Sequence, residues 1–344
     1  MIVFSTALIT FVSFLPSHAQ DPGEQSIDDS SGHETPHSTT TDQGTAANSA
    51  ERQVSPYQGP PNKDGLSWRA SAGNLWQFNG DINGGGQFSV NRTYAQAAFE
   101  HTVSPQFSWG AGLATEVDAY DFSGNGAFNA AAGGTPWTTT VDLTLKTSMK
   151  LNLNRKWQIR ASVFCGWAGE HDAVFDDSFT VGAILGAAYR FDDTLTLGVG
   201  SLISDRLEDG LLIIPSVIVD WKITPKLTLS NVRGAASYPT SAGAELVYAL
   251  GKTTSVSLGA RYEYRRFRLD GEGAPTTQGG VGTERSLPTW LRFEYNPAPN
   301  IRLHLVGGIS FGEKLELQNR NGETVAEQGV DPMPFIAFFA GIRF

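Results

Sequence analysis

The sequence holds 344 residues, 40% of them apolar and 17% charged, with 20 Phe, 9 Tyr and 8 Trp. That aromatic content excludes a collagen-like or wholly disordered chain, and a lone cysteine, Cys165, excludes an intramolecular disulfide framework. Lys and Arg number 25 against 35 Asp and Glu, and the resulting charge of −10 has the wrong sign for a nucleic-acid binder.

Residues 1–16 form an apolar run followed by Ser17-His18-Ala19-Gln20, where small residues at 17 and 19 flank one bulky residue. This predicts a cleaved export signal over 1–19, too short for a membrane helix, although its first residues carry no Lys or Arg. No Cys follows the cleavage site, so a lipoprotein is not expected. Residues 20–63 are rich in Ser, Thr, Gly and Pro, with seven acidic side chains against Arg52 and Lys63. Such a segment has too little to bury against its ordering entropy, and it is expected to be a disordered acidic linker. His33 and His37 within it are read as solvated polar residues rather than metal ligands.

From residue 64 to residue 344 the apolar period is two. Over 137–153 one parity reads Trp137, Thr139, Val141, Leu143, Leu145, Thr147, Met149, Leu151 and Leu153, and the other is Thr, Ser, Asn, Asp and Lys. The alternation outlasts an ordinary strand and suits one that crosses a bilayer, with one face in lipid and one in a polar lumen. It recurs with Trp157, Ile159, Ala161, Val163, Cys165 and Trp167, then with Val256, Leu258, Ala260, Tyr262 and Tyr264, and again with Leu291, Phe293 and Tyr295. Short turns, such as Asn154-Arg155-Lys156, Asp192-Asp193 and Thr224-Pro225-Lys226, alternate with long Gly-rich connections at 79–86, 120–136, 170–177, 205–210, 270–287 and 312–334. The breaks count out about 14 strands, or 12 if the first pair is misread, and both numbers are even, as a single-chain barrel requires. The fold class is therefore all-β, a closed antiparallel transmembrane barrel. Trp109, Trp157 and Trp221 fall near short turns, and Trp76, Trp137, Trp167 and Trp290 near long loops, which predicts two interfacial aromatic girdles.

The chain ends FIAFFAGIRF, with Ile336, Phe338, Ala340, Ile342 and Phe344 on one parity. A terminal strand of this kind resembles the signal read by the bacterial barrel-assembly machinery, and Phe338, Ala340, Ile342 and Phe344 would carry it. With Asp331-Pro332-Met333-Pro334-Phe335 before it and Ile342-Arg343-Phe344 at the end, the chain resembles bacterial outer-membrane β-barrel proteins, and within them a family of unknown function. The resemblance implies a fold, an outer-membrane location and contact with its lipid. It implies no substrate.

By parity the inward charges include Asp142, Lys146, Lys150, Arg160, Arg190, Asp220, Lys222, Glu245, Arg261, Glu263, Arg265, Arg292, Glu294, Arg302 and Arg343, with His304 beside them. The last strands are basic on balance. This reads either as a wet pore with a strip that favours anionic small solutes, or as a ladder of ion pairs that closes the wall. The leading expectation is a passive pore or solute channel, with Lys146, Arg160, Arg190, Lys222, Arg261, Glu263, Arg265, Arg292, Glu294, Arg302, His304 and Arg343 lining it. A non-conducting structural barrel plugged by its long loops is the alternative. A hydrophobic-compound channel, which needs an apolar pocket that a charged lumen disfavours, and an outer-membrane hydrolase, which needs a placed Ser and His, are the lesser alternatives. Glu170-His171-Asp172 with Asp176-Asp177-Ser178 gathers carboxylates and an imidazole in one loop, but at no metal-binding spacing. No catalytic group, cofactor or metal is expected.

Overall fold

The computed structural model describes residues 65–207, 210–231, 242–272 and 274–344. The expected signal segment and acidic linker lie outside them. The strands are β1 Leu66–Asp81, β2 Gln87–Thr102, β3 Phe107–Ser123, β4 Thr139–Asn152, β5 Trp157–Glu170, β6 Phe179–Arg190, β7 Leu195–Asp205, β8 Leu211–Lys222, β9 Leu227–Ser230, β10 Ala242–Ala249, β11 Thr254–Arg268, β12 Val281–Ala298, β13 Ile301–Gln318, β14 Thr324–Gly329 and β15 Met333–Arg343. Each strand from β1 to β13 pairs antiparallel with the next, and β15 lies between β13 and β1, running from Arg69↔Arg343 to Gln77↔Phe335. The cylinder is closed. Of the fifteen strands, β14 pairs with β13 alone, so fourteen make the wall.

Alternation sets the register, because a slip of one residue would turn every lipid-facing side chain inward. Leu258 and Leu291, paired across β11 and β12, are each 62% exposed, while their strand neighbours Ser257 and Arg292 are buried. Ile336, Phe338, Ile342 and Phe344 stand exposed on the outer face of β15, as the terminal parity predicts. Backbone bonds between Phe344 and Trp68, 2.7 and 2.9 Å, seal the last rung. At the short-turn end, the Asp192 carboxylate accepts the Thr194 and Leu195 N–H groups at 2.7 and 2.9 Å, a side-chain cap that reverses the chain in four residues.

The structure corrects the girdle reading at two places. Trp68, Trp109, Trp157 and Trp221 are exposed at the short-turn end, and Trp76 at the other. Trp137 and Trp290 are buried inside the barrel instead. β4 begins only at Thr139, so nothing holds Trp137 to strand parity, and Trp290 occupies the inward parity of its own strand. The connection expected over 312–334 is largely structured: β13 runs on to Gln318 and β14 folds back on it as a hairpin that extends the wall. The loop after β3 carries α1 (Ala127–Ala132), which buries Phe128 and ends on Gly133 at φ 78°.

Candidate functional site: the barrel lumen

A fourteen-strand wall encloses more room than its own side chains fill unaided. In this barrel the long-loop half is filled by two layers. The first is aromatic. Trp137, 1% exposed, meets Tyr120, Phe122, Phe128 and Phe267 edge-on, at ring separations of 5.2–5.8 Å. Leu315, Leu317, Met333 and Val330 close around the same cluster.

The second layer is ionic and reaches across the lumen. Arg92 on β2 bonds both Asp118 on β3 and Glu284 on β12, and the Tyr120 hydroxyl donates to Glu284 at 2.7 Å. Arg265 on β11 donates to Glu116 on β3 at 2.9 Å and to Glu263 at 2.5 Å, and Arg261 pairs with Glu263. β3 and β11 stand far apart around the wall, so this network is a cross-brace rather than a ladder along one sheet. Below it, Glu245 on β10 accepts the Trp290 indole N–H at 2.7 Å and the Arg292 guanidinium at 2.6 Å. Buried charges of this kind persist only when paired and hydrogen-bonded.

The tip of β11 completes the constriction. Above Ala260 both faces of the strand are largely buried, which corrects the outward placement of Tyr264 expected from parity. The tip leans inward until Arg268 forms a parallel bridge with Gly169 of β5, six strands away along the sheet. A Cβ on Gly169 would stand 3.0 Å from Ala173 Cβ and 3.1 Å from Ser178 Oγ, so the loop after β5 packs tightly over this glycine, while Arg268 Cβ would be at an ordinary 3.5 Å. The Arg268 guanidinium then donates to the carbonyls of Asp177, Leu207 and Gly279 at 2.7–3.1 Å, tying three loops together.

The twelve side chains expected to line a pore divide accordingly. Arg261, Glu263, Arg265 and Arg292 are buried in the ionic layer, and His304 is buried 3.9 Å from Glu294. Arg160, Arg190, Lys222, Glu294, Arg302 and Arg343 are partly exposed on the inner face of the short-turn half. Lys146 lines a recess between β1 and β4, shared with Arg69, Gln96, Thr144 and Ser148 over a floor that includes Gly112 and Ala114. Most of the basic strip expected on the last strands is neutralised in place: each of Arg261, Arg265, Arg292 and Arg302 has a carboxylate within 4 Å, and Arg343 donates to the Ser67 hydroxyl at 3.2 Å. Alternation located the inward face but could not tell which charges meet across the lumen.

The inward face is also not polar throughout. Phe164, Ile184 and Leu202 on β5–β7 are buried together, with Ile214 packed against them, and Ala188 meets Ile218 beside them. The strands β6–β8, apolar on both parities, with glycines in β6 and β7, carry this signal in their sequence. The loop after β5 is structural: Glu170 accepts the backbone N–H groups of Thr138 and Asp270, and Asp177 pairs with Arg320. The His171 imidazole stands 3.0 Å from the Asp172 carboxylate, both well exposed, and no group of three or more His, Cys, Asp or Glu suited to a metal occurs among the described residues.

Comparison with solved structures returns outer-membrane proteins at low identity. The COG4313 outer membrane channel from Pseudomonas putida F1 aligns at 12% identity and TM-score 0.47, covering 84% of this chain and 98% of that one. The toluene transporter TodX of P. putida aligns at 10% and 0.41, covering 82% and 90%, and the KdgM porin at 8% and 0.32, covering 80% and 99%. No curated protein matches the chain in sequence. The profile of a domain of unknown function, DUF6268, matches residues 140–344, more than half of the sequence, and the chain belongs to that family.

Proposed function

We propose that the protein is an outer-membrane channel for small solutes, narrowed by its own side chains in the long-loop half and wet in the short-turn half. The observation that carries this reading is the partly exposed inner face of the short-turn end, where Arg160, Arg190, Lys222, Arg302 and Arg343 project from strands all around the wall. Charged side chains are stable on such a face only against water or a charged partner, whereas the opposite face carries Leu, Val, Ile and Phe suited to lipid. In this reading residues 1–19 direct export, 20–63 form an acidic periplasmic linker, and Phe338, Ala340, Ile342 and Phe344 engage the barrel-assembly machinery. The chemistry assigned to the lumen is passage, not catalysis.

A second reading, a non-conducting structural barrel, draws on the aromatic and ionic layers that close much of the outer half. Purified protein in planar bilayers separates the two. Discrete conductance steps are expected of the channel, and a tight seal under several salts would replace it with the plugged barrel.

A further inference from the structure

We infer that Glu313 and Glu284 share one proton that latches the ionic layer shut, so that alkali, by removing the proton, loosens the constriction. Its effect on solute passage rests on the lumen being a channel; the shared proton itself does not.

Glu313 reaches the lumen through a bulge. The β12–β13 register passes from Arg285↔Lys314 to Leu287↔Phe311, so Gly312 and Glu313 both stand opposite Ser286. Gly312 takes φ 58°, a left-handed conformation that favours glycine, and the extra residue resets the alternation. Phe311 is therefore exposed while Glu313, two positions on, is 1% exposed.

The two oxygens of this carboxyl have different surroundings. Oε2 accepts the Gln77 amide at 2.9 Å and the Ser310 hydroxyl at 2.8 Å, whereas the buried Oε1 meets no donor. The Glu313 and Glu284 carboxyls hydrogen-bond to each other, and Glu284 also accepts from Arg92 and from the Tyr120 hydroxyl. Two ionised carboxylates are acceptors only, so a bond between them needs a proton. Placing it on Oε1, with the O–H donating to Glu284, accounts for the buried oxygen that no donor reaches.

The charge balance of the layer agrees. Glu116, Asp118, Glu263, Glu284 and Glu313 meet the guanidiniums of Arg92, Arg261 and Arg265, five carboxyl groups against three cations. Facing the pair are Arg92 from β2, Asp118 and Tyr120 from β3 and Arg265 from β11, with neutral Gln77 from β1 and Ser310 from β13. Arg92 is divided between Asp118 and Glu284, and Arg265 between Glu116 and Glu263, which leaves Glu313 to a proton. Removing that proton would set two carboxylates side by side out of water, at the level where the lumen is narrowest.

The test uses the full chain folded in lipid vesicles and compares wild type with Glu313→Gln, whose amide can accept from Gln77 and Ser310 and donate to Glu284 with no proton to lose. The infrared difference spectrum at neutral pH should show the C=O stretch of a protonated acid in wild type alone, bleaching reversibly in alkali. Glu284→Gln, whose amide can donate to an ionised Glu313, should remove the same band and serves where the first variant does not fold. Folding then takes up one proton, so from neutral pH upward wild type should lose about tenfold in its folding equilibrium per pH unit relative to Glu313→Gln. Urea unfolding reads this as a midpoint that falls more steeply with pH in wild type, and Glu327→Gln, in the β13–β14 hairpin, should follow wild type. In planar bilayers the conductance of wild type should rise in alkali and that of Glu313→Gln should not. A difference spectrum without the acid band, or midpoints with the same pH dependence in both proteins, would overturn the shared proton. The acid band with a conductance indifferent to pH would overturn the latch. Conductance steps without the band remove the proton and leave the channel; the band in a barrel that never conducts removes the channel and leaves the proton.

Discussion

Replacing Arg92 by Met tests whether the ionic layer is a structural brace. The side chain is 4% exposed and stands between Asp118, also 4% exposed, and Glu284, 1% exposed. The substitution keeps an unbranched stem of similar length and removes the cation, which strands two carboxylates out of water. Breaking a buried pair by deleting one partner costs about 3–5 kcal/mol. Arg265 remains 3.5 Å from Asp118 and 3.9 Å from Glu284 and screens part of that loss, which places the expected cost near the lower end, about 3 kcal/mol. That is roughly a hundredfold in the folding equilibrium. Urea unfolding in lipid vesicles, followed by tryptophan fluorescence, reads the difference as a lowered midpoint. The triple variant Arg92→Met, Asp118→Asn, Glu284→Gln removes the stranded charges and should recover much of the loss. An Arg92→Met barrel as stable as wild type, or a triple variant no better than the single one, would refute the brace.

Three further outcomes follow from the same geometry. Trp137→Ala should destabilise the barrel by about 3–5 kcal/mol in the same urea assay, because it empties the centre of a buried aromatic cluster. Leu291→Arg, on the lipid face of β12, should cost about 2–4 kcal/mol if the belt lies in the bilayer, and close to nothing in an aqueous reading of the fold. Deleting Phe344 should slow insertion into liposomes that carry the barrel-assembly machinery far more than spontaneous folding into bare vesicles, since only two backbone bonds to Trp68 are lost. Equal slowing in both would assign the residue to the final rung alone.

How far the fold was legible depends on which interactions are local. Strand polarity, the even count of fourteen, the alternation of short and long connections and the outward face of the closing strand all follow from period-two patterning and turn residues. These are properties of a few consecutive side chains and of the solvent on each face. The misplaced residues share a cause. Trp137 precedes its strand, Tyr264 lies where β11 leaves the wall, and Trp290 lies near a loop but keeps the inward parity of its own strand.

The amino-acid sequence on its own therefore determined that this chain closes into a membrane barrel and, where the strands run regularly in the wall, which parity points inward, because each strand records its two environments in its own residues. Only the tertiary structure decided what those inward side chains do. Arg92 finds Glu284 192 positions away, and Arg265 finds Glu116 at 149. Pairings across a lumen depend on the curvature and closure of the whole wall, and no run of neighbouring residues encodes them.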